Sequence, residues 1–397
     1  MITGRPVRVG LVGSAFISTI HAEALKRVAR AELFGVCSPT GTRARDFARQ
    51  HGVKHSFTSI DDLLATEVDM IVLGCPNDLH AEFTEKAARA GKHVVCEKPL
   101  ARTLAEADRM IHACHQAGVL LMYAEELCFT PKYVRLKRLV DEGALGRIYM
   151  VKQCEKHDGP HSAWFYDVQR SGGGVTLDMG CHAFEFFRWM LGKPRVRLEQ
   201  SESADRQTQL HESPLTHVIG VEKANAISVY ADMDTVLHRD KTVGEDHAVI
   251  LIRFETNQGE ALGVAEESWA KKGGMDDTAE VYGTDGVAYA DLLQGNSILA
   301  YSDTGYSYAV EKAGTTRGWS FCTFEELWNY GFPQEFAHFV DCVADNAVPL
   351  ETGEDGRAVL EMVLAAYRSA GEGRKITLPT PDVTTIPHAL WKPSVVS

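Results

Sequence analysis

Three side chains that can hold or exchange a proton stand in two separated motifs of this sequence. Lys98 directly follows an apolar run, while Asp178 and His182 follow three consecutive glycines eighty residues later. Histidine exchanges a proton near neutral pH, and a neighbouring carboxylate or ammonium group tunes that exchange. Four positions separate Asp178 from His182, so both side chains share one face if a helix has begun there. The pattern predicts an acid–base site.

Each of these residues also has an ordinary structural explanation. Taken alone, Lys98 could end a strand at the surface, Asp178 could cap a helix, and His182 could be a buried histidine that only packs. Their joint occurrence, with Glu97 and Pro99 on either side of the lysine, favours the chemical interpretation.

A metal centre is a weaker interpretation of the same region. His157, His161 and His182 could be imagined as ligands, and His157 and His161 stand four positions apart, but no His/Cys ligand spacing supports a closed site. We therefore predict no metal.

Short apolar runs alternate with helical patterns over the first third of the chain. Such alternation predicts a parallel sheet with crossover helices, and one Rossmann-like domain is the simplest interpretation. The predicted strands cover residues 7–12, 33–37, 70–73, 93–96 and 120–123.

The pattern changes after a predicted helix over residues 131–142. Longer alternating runs there predict a large, mostly antiparallel open sheet with one exposed face, and residues 200–217 form a polar loop. Predicted helices over 333–345 and 355–370 complete the second domain or brace the first. The predicted strands cover residues 147–154, 226–232, 247–254, 261–269 and 280–282.

We thus predict an α/β chain of two domains. Residues 1–128 form an N-terminal Rossmann dinucleotide-binding domain, and residues 129–397 form an α+β domain for substrate binding and oligomerisation.

Composition excludes several classes of partner and location. A net charge of −13 over 397 residues opposes binding to nucleic acid or to an anionic membrane, and no apolar run of about 20 residues predicts a membrane span. The nine cysteines are scattered and form no C-x-x-C pair, which is typical of a reducing compartment. We predict a cytoplasmic protein.

The turn after the first predicted strand suits a pyrophosphate. Aligned with G-x-G-x-x-G, it keeps the first glycine as Gly13 and has Ala15 and Ser18 in the other two positions. Backbone amides and a helix N-terminus bind phosphate at such a turn, so Gly13, Ala15, Phe16 and Ile17 are predicted cofactor contacts. The Ala15 methyl group narrows the approach to the phosphate, and a plain strand-to-helix turn is the alternative.

The end of the second predicted strand bears on the choice between NAD(H) and NADP(H). No carboxylate stands there to bind a ribose diol or to repel a 2′-phosphate. Ser38, Thr40 and Arg43 could bind that phosphate, whereas Arg43 could equally be a solvated surface residue. The cofactor choice stays open.

The motif Cys96-Glu97-Lys98-Pro99, together with the run from Gly172 to His182, resembles the Gfo/Idh/MocA oxidoreductase family, named for glucose-fructose oxidoreductase and inositol dehydrogenase. The resemblance covers almost the whole chain. It implies that Lys98, Asp178 and His182 are the reacting trio of a hydride transfer.

The resemblance also implies further cofactor contacts. The element that begins with Cys75, Pro76 and Asn77 would pass beneath the nicotinamide ribose, and Glu97 would contact the ribose or orient Lys98. His80 completes that element and is counted with the cofactor-binding residues, although a lone histidine at helical spacing usually packs.

A loop over residues 156–167 mixes polar donors with aromatic rings, as sugar-binding sites do. His157, His161, Trp164 and Tyr166 are predicted to contact substrate, together with the reacting trio. Lys156 and the two histidines would also suit an anionic substituent. A loop that only pins the two domains together is the alternative.

The sequence predicts an NAD(P)-dependent oxidoreductase that acts at a secondary hydroxyl carbon of a sugar, glycoside or cyclitol. Family sheets commonly pair through their faces, so a homo-oligomer, dimer or tetramer, is implied.

Three other activities remain open. The first is an NAD-dependent glycosidase that oxidises, eliminates, hydrates and re-reduces. A cis-dihydrodiol dehydrogenase is the second, and a non-catalytic dinucleotide-sensing regulator, which the intact trio disfavours, is the third. The extra acid–base step of a glycosidase would fall to an unranked residue among Tyr123, Glu125, His157, His161 and Tyr166.

Overall fold

In the computed structural model, two large sheets meet along a cleft and are flanked by helices. The predicted polar loop over 200–217 lies outside the described residues. The structure describes residues 2, 4–196, 218–293, 297–302, 318–323, 326–381 and 383–392.

The first sheet has six parallel strands in the order β3-β2-β1-β4-β5-β6. Helices cover its faces, so strands such as β4 are apolar and buried along their whole length. The order reverses between β1 and β4, which opens a crevice at the carboxyl ends of these strands. The strands are β1 (Val7–Val12), β2 (Ala31–Cys37), β3 (His55–Phe57), β4 (Met70–Leu73), β5 (His93–Glu97) and β6 (Leu121–Ala124). The helices are α1 (Phe16–Leu25), α2 (Gly41–His51), α3 (Ile60–Leu64), α4 (His80–Arg89) and α5 (Leu104–Ala117).

The predicted Rossmann sheet is confirmed, and its strand ends shift by one or two residues. The edge strand β3 was missed because it has three residues, of which His55 and Ser56 are exposed, and so it carries no apolar run.

The second sheet has seven strands in the order β14-β13-β7-β12-β11-β10-β17. All its neighbours are antiparallel except β7 and β12, which confirms the predicted mostly antiparallel sheet. Buried and exposed residues alternate along β11, so one face packs inward and the other faces outward. Its strands are β7 (Ile148–Lys156), β10 (Asn225–Asp234), β11 (His247–Thr256), β12 (Gly259–Ser268), β13 (Asp276–Gly283), β14 (Val287–Asp291) and β17 (Ile376–Thr377).

Helices and two small strand pairs complete the second half of the chain. The paired strands are β8 (Lys193–Val196) with β9 (Val218–Glu222), and β15 (Ser297–Ser302) with β16 (Gly318–Thr323). The helices are α6 (Pro131–Asp141), α7 (Val168–Ser171), α8 (Val175–Asp178), α9 (Gly180–Met190), α10 (Glu326–Tyr330), α11 (Phe332–Asp345), α12 (Gly353–Glu372) and α13 (Pro387–Trp391). Short 3-10 helices cover Asn77–Leu79, Glu126–Cys128 and Ala163–Tyr166. Among the helices described, none is both long and apolar enough to cross a bilayer.

The two late helices contact both sheets. Helix α11 packs on α1, and its Asp345 pairs at 2.7 Å with Arg30, which directly precedes β2. Helix α12 packs against both α5 and β10. The Tyr123 amide also donates to the Glu351 carbonyl oxygen at 3.2 Å. The C-terminal part of the chain therefore braces the first sheet, while the domain boundary at residue 128 stays a prediction.

A buried ion cluster ties the β9–β10 turn to α9 and α12. Lys223, with 5% of its side chain exposed, lies 2.6 Å from Glu185, 2.7 Å from Glu351 and 3.1 Å from Asp355. Arg188 joins the same cluster through Glu185 at 2.5 Å. Buried carboxylates are tolerated only when they are paired, so this packing depends on the lysine.

We predict that Lys223→Met destabilises the protein by about 3–5 kcal/mol, because it leaves buried carboxylates without their shared cation. The measurement is the midpoint of thermal unfolding, which should fall by several degrees. Lys54→Met is the matched control, since Lys54 is 60% exposed and lies 3.7 Å from Glu32. Equal midpoints for the two variants would contradict the assigned role of the cluster.

Candidate active site

A cleft of about 1540 Å³ separates the two sheets. One wall consists of the carboxyl ends of β1, β2, β4 and β5. The other consists of the end of β7, the loop over residues 157–166 and the start of α9. The predicted catalytic, cofactor-binding and substrate-binding residues line this cleft, except Thr40 and His80. Tyr123 and Glu125, the buried candidates for a glycosidase step, and Lys156, the candidate for an anionic substituent, do not line it.

The turn between β1 and α1 has the shape that a pyrophosphate requires. Gly13 has φ +120°, and a Cβ there would lie 2.3 Å from the Gly74 carbonyl oxygen, so only glycine fits. Helix α1 begins at Phe16, and the N-cap residue Ala15 provides no side-chain cap. The first amides of α1 therefore meet the cleft with no capping side chain, as an anion-binding helix N-terminus does. These residues fit a dinucleotide.

The end of β2 forms the outer part of the same wall. Ser38 and Arg43 line the cleft, and Ser14, which the sequence analysis missed, donates from Oγ to Ser38 Oγ at 2.9 Å. Thr40 is exposed and lies outside the cleft lining, so it does not join the other predicted phosphate contacts.

The residues after β4 have two different roles, since some line the cleft and one supports its wall. Cys75, Pro76 and Asn77 line the cleft, and Asn77 Nδ2 donates to the Ser171 carbonyl oxygen at 2.8 Å, which links the two halves of the chain. His80 starts α4 and is fully buried. Its ring nitrogens lie 3.0 Å from the carbonyl oxygens of Pro99 and Cys75. His80 thus supports the cleft wall from behind, as a packed histidine does.

Lys98 and Asp178 form an ion pair across the cleft. Lys98 Nζ lies 2.9 Å from Asp178 Oδ1 and 3.0 Å from the Asp178 carbonyl oxygen, and Trp269 Nε1 donates to Asp178 Oδ2 at 3.2 Å. Burial alone would lower the pKa of Lys98, but Asp178 and nearby acidic groups raise it well above its usual value. The lysine is therefore an ammonium ion.

Glu97 supports the Lys98 segment. Its Oε1 lies 2.8 Å from His21 Nε2, and its Oε2 accepts the backbone amide of Lys98 at 3.1 Å. The Lys98–Pro99 peptide is cis. The placement favours the orienting role for Glu97 over the ribose contact, although its carboxyl group also lines the cleft.

His182 lies on the same wall as Asp178, but no single helix carries both. Asp178 ends α8 and His182 lies in α9, with a break at Met179. His182 Nδ1 is 2.8 Å from Glu125 Oε1 and 3.8 Å from Glu126 Oε2. Burial lowers the pKa of His182 to about 4, so its imidazole ring is neutral near pH 7.

Two acidic residues of the cleft were missed. Glu126 lies in the short helix after β6, and burial raises its pKa to about 7. Glu155 lies on β7 with 8% of its surface exposed, and burial raises its pKa well above the usual value. A signal existed for Glu155, because it occupies an inward position of the alternating strand where an apolar residue is the rule.

The aromatic loop both lines the cleft and joins its walls. His161 stacks on Phe16 of α1 at 4.0 Å between ring centroids, and Tyr166 lies edge-on to Trp269 at 5.8 Å. His157 and Trp164 also line the cleft. This loop therefore does both of the things predicted as alternatives, since it lines the cleft and also connects its two walls.

Comparison with known proteins identifies the family. A model of the oxidoreductase family with an NAD-binding Rossmann fold matches residues 7–125, and a model of the GFO/IDH/MocA C-terminal domain matches residues 133–289. Myo-inositol 2-dehydrogenase from Thermotoga maritima is 28% identical over 94% of this chain and 98% of its own length. Inositol 2-dehydrogenase from Rhizobium meliloti is 26% identical over 94% and 99%.

The fold comparison agrees over nearly the full chain. The crystal structure of GenD2 from gentamicin A biosynthesis, in complex with NAD, has a TM-score of 0.81 and 31% identity, and the match covers 96% of this chain and 98% of that one. Since both family models and this structure match across the two sheets, the chain belongs to the Gfo/Idh/MocA family of oxidoreductases, whose N-terminal domain has an NAD-binding Rossmann fold.

Proposed function

We propose that this enzyme transfers a hydride between a nicotinamide dinucleotide and a carbon that bears a secondary hydroxyl group in a sugar, glycoside or cyclitol. The observation that carries the proposal is the convergence of Lys98, Asp178 and His182, from both halves of the chain, on the cleft that holds the Gly13 turn. The two inositol dehydrogenase relatives support the substrate class.

Each member of the trio has a distinct task. When bound, the nicotinamide accepts or returns the hydride. His182 takes the hydroxyl proton at Nε2, since Nδ1 already contacts Glu125. Lys98 holds and polarises the reacting oxygen with its ammonium group. Asp178, fixed between Lys98 and Trp269, orients both the lysine and the substrate hydroxyl group.

The aromatic loop is proposed to bind the ring of the substrate. Trp164 and Tyr166 offer ring faces, His157 and His161 offer polar groups, and Lys241 lies 5.3 Å from the Tyr166 ring centroid. This mixture suits a compact polyol with an apolar ring face.

Glu126 and Glu155 favour the redox-neutral glycosidase as the second candidate. Both carboxyl groups line the cleft, and burial raises both pKa values, to about 7 for Glu126. A carboxyl group that exchanges a proton near neutral pH suits the elimination and hydration of an aglycone. The dihydrodiol dehydrogenase and the sensing regulator have no comparable support.

We predict that His182→Gln lowers kcat by at least about 100-fold, because the hydroxyl proton loses its acceptor, while the Kd for NAD stays within about threefold. Formation of reduced nicotinamide and release of aglycone should be followed together, with inositols and glycosides as substrates. The control is His115→Ala, whose ring is 69% exposed.

The same experiment separates the candidates. Turnover that survives His182→Gln would contradict the acid–base assignment. Aglycone release by the unaltered enzyme without net reduced cofactor would replace the dehydrogenase with the glycosidase.

We propose that the end of β2 admits a 2′-phosphate through Ser38 and Arg43, since no carboxylate lies beside them in the cleft lining. Arg43→Ala should then weaken NADP binding about tenfold, the cost of one charge-assisted hydrogen bond, and leave NAD binding unchanged. Calorimetric Kd values check this, with Arg49→Ala, exposed on the same helix, as the control. Equal losses for both dinucleotides would contradict it.

We propose that the outward face of the second sheet forms a homo-oligomer contact. Tyr230 and Leu251 are cross-strand partners on that face and are 45% and 37% exposed, and Tyr289 is 66% exposed. Ion pairs such as Lys152–Glu280 and Lys156–Glu266 lie on the same face. Large exposed apolar side chains among charged ones are typical of a subunit interface.

Leu251→Lys should shift the protein toward the monomer, because it places a charge in the buried contact, as measured by light scattering at several concentrations. Val348→Lys, at an 82% exposed site outside both sheets, is the control. A protein that is monomeric before substitution would contradict the proposal.

We also propose a cytoplasmic location. The cysteines whose surroundings the structure describes are free thiols, a state that a reducing compartment preserves.

A further inference from the structure

We propose that Glu125 is a positioning residue that selects which ring nitrogen of His182 carries a proton and that receives the substrate proton through the imidazole ring. The proposal rests on the proposed acid–base function of His182 and adds the group that controls it.

The contact between the two side chains is short and closed to water. Glu125 follows β6 directly and is fully buried, and the His182 side chain is 4% exposed. Glu125 Oε1 lies 2.8 Å from His182 Nδ1, while Oε2 has no hydrogen-bond partner among the described residues. In so dry a setting the carboxyl–imidazole hydrogen bond is strong, and it fixes the orientation of the ring.

This contact assigns the two ring nitrogens to different tasks. Nδ1 is occupied by Glu125, so Nε2 is left for the substrate in the cleft that His182 lines. When Glu125 is ionised, Nδ1–H donates to the carboxylate and Nε2 carries a lone pair that can accept a proton. When Glu125 is protonated, its O–H donates to Nδ1 and Nε2–H can return a proton.

The proton balance of the oxidation step follows from these two states. The hydroxyl O–H bond breaks and its proton bonds to Nε2, while the C–H bond breaks and its electron pair leaves as hydride to the nicotinamide. The proton on Nδ1 passes to Glu125 Oε1. The pair ends as a carboxyl group and a neutral imidazole with its proton on Nε2, and reduction reverses every step.

The surroundings favour this relay over a buried imidazolium. Burial lowers the pKa of His182 to about 4, and burial raises the pKa of Glu125 well above its usual value. Glu125 is therefore the better proton acceptor of the two, and an imidazolium ion beside the Lys98 ammonium is avoided. The ionisable groups that act on the pair are Glu97, Lys98, Glu126, Asp178 and Glu185. The pKa of the buried Glu335 is in turn raised in part by Glu125.

Two further neighbours, Tyr123 and Cys181, do not titrate near neutral pH, because burial raises the pKa of each well above its usual value. Among the acidic neighbours, Glu126 has a pKa of about 7 and lies 3.8 Å from His182 Nδ1. A pH profile must therefore separate Glu126 from Glu125.

A bound cation is the rival interpretation of the same atoms. Glu125, Glu126 and His182 place ligand atoms within 4.8 Å of one another. The hydrogen bond between Glu125 and His182 already occupies two of those atoms and requires no ion. Removal of metal ions with EDTA distinguishes the two interpretations.

The experiment compares Glu125→Gln with Glu335→Gln as the matched control. Glu335 is equally buried, has no hydrogen-bond partner for either carboxyl oxygen among the described residues, and does not line the cleft. Steady-state oxidation of myo-inositol and of a methyl glucoside with NAD is followed from pH 5 to pH 9, after each protein is shown to fold by its melting temperature.

We expect Glu125→Gln to lower kcat about 100-fold with KM and the NAD Kd nearly unchanged, since an amide cannot accept the proton. In the unaltered enzyme, oxidation should rise with pH as the pair loses its proton, and reduction should fall. This pH dependence of the oxidation rate should vanish in Glu125→Gln and persist in Glu335→Gln. Glu125→Asp should restore part of kcat.

Three outcomes would overturn the relay. The first is an unchanged kcat and pH profile in Glu125→Gln. The second is a rise of oxidation with pH that survives in Glu125→Gln but disappears in Glu126→Gln. The third is activity that is lost on treatment with EDTA and restored by zinc or manganese.

An error in the proposed substrate class can be distinguished from an error in the proposed proton relay. If the unaltered enzyme oxidises neither polyol, the proposed substrate class fails, while nitrogen-15 NMR of labelled histidine still tests the pair. The His182 signals, identified by their loss in His182→Gln, should shift in Glu125→Gln, and unchanged signals would overturn the proposal.

Discussion

The ion pair between Lys98 and Asp178 is the interaction on which the site depends. It joins Lys98, at the end of β5 in the first sheet, to Asp178, at the break between helices α8 and α9. The Lys98 side chain is 19% exposed and the Asp178 side chain is 10% exposed. Without Asp178, burial would favour the neutral lysine, and without Lys98, the buried carboxylate would lose its counter-ion and keep the hydrogen bond from Trp269. The pair therefore fixes the charge of both groups and the spacing of the cleft walls.

Burial then separates the protonation states of the remaining groups. His182 has a lowered pKa, whereas Glu125, Glu126 and Glu155 have raised pKa values, all chiefly through burial. Neutral carboxyl groups and a neutral imidazole ring can coexist with one ammonium ion in a small volume, whereas their charged forms could not. The cleft thus holds several groups that can exchange protons at little electrostatic cost, as reversible hydroxyl chemistry requires.

Local patterns were sufficient to predict most of the framework. Apolar runs predicted five of the six parallel strands, and alternation predicted five of the seven strands of the second sheet but not β14 and β17, because both signals depend on neighbours in sequence. The motifs around Lys98 and Asp178 also predicted which side chains meet. The contact of Glu125 with His182 joins residues 57 positions apart, and no local pattern encodes it. Thr40 and His80 stood in the right motifs, but their side chains are directed by local packing, to solvent and to buried carbonyl groups.

The most direct test of hydride transfer is to follow the hydrogen atom itself. The enzyme should be incubated with NAD and with inositol deuterated at its ring carbons, and the dinucleotide should then be released and its mass measured. The proposed function predicts one deuterium atom on the nicotinamide for each inositol oxidised. Oxidised product together with an unlabelled nicotinamide would contradict it.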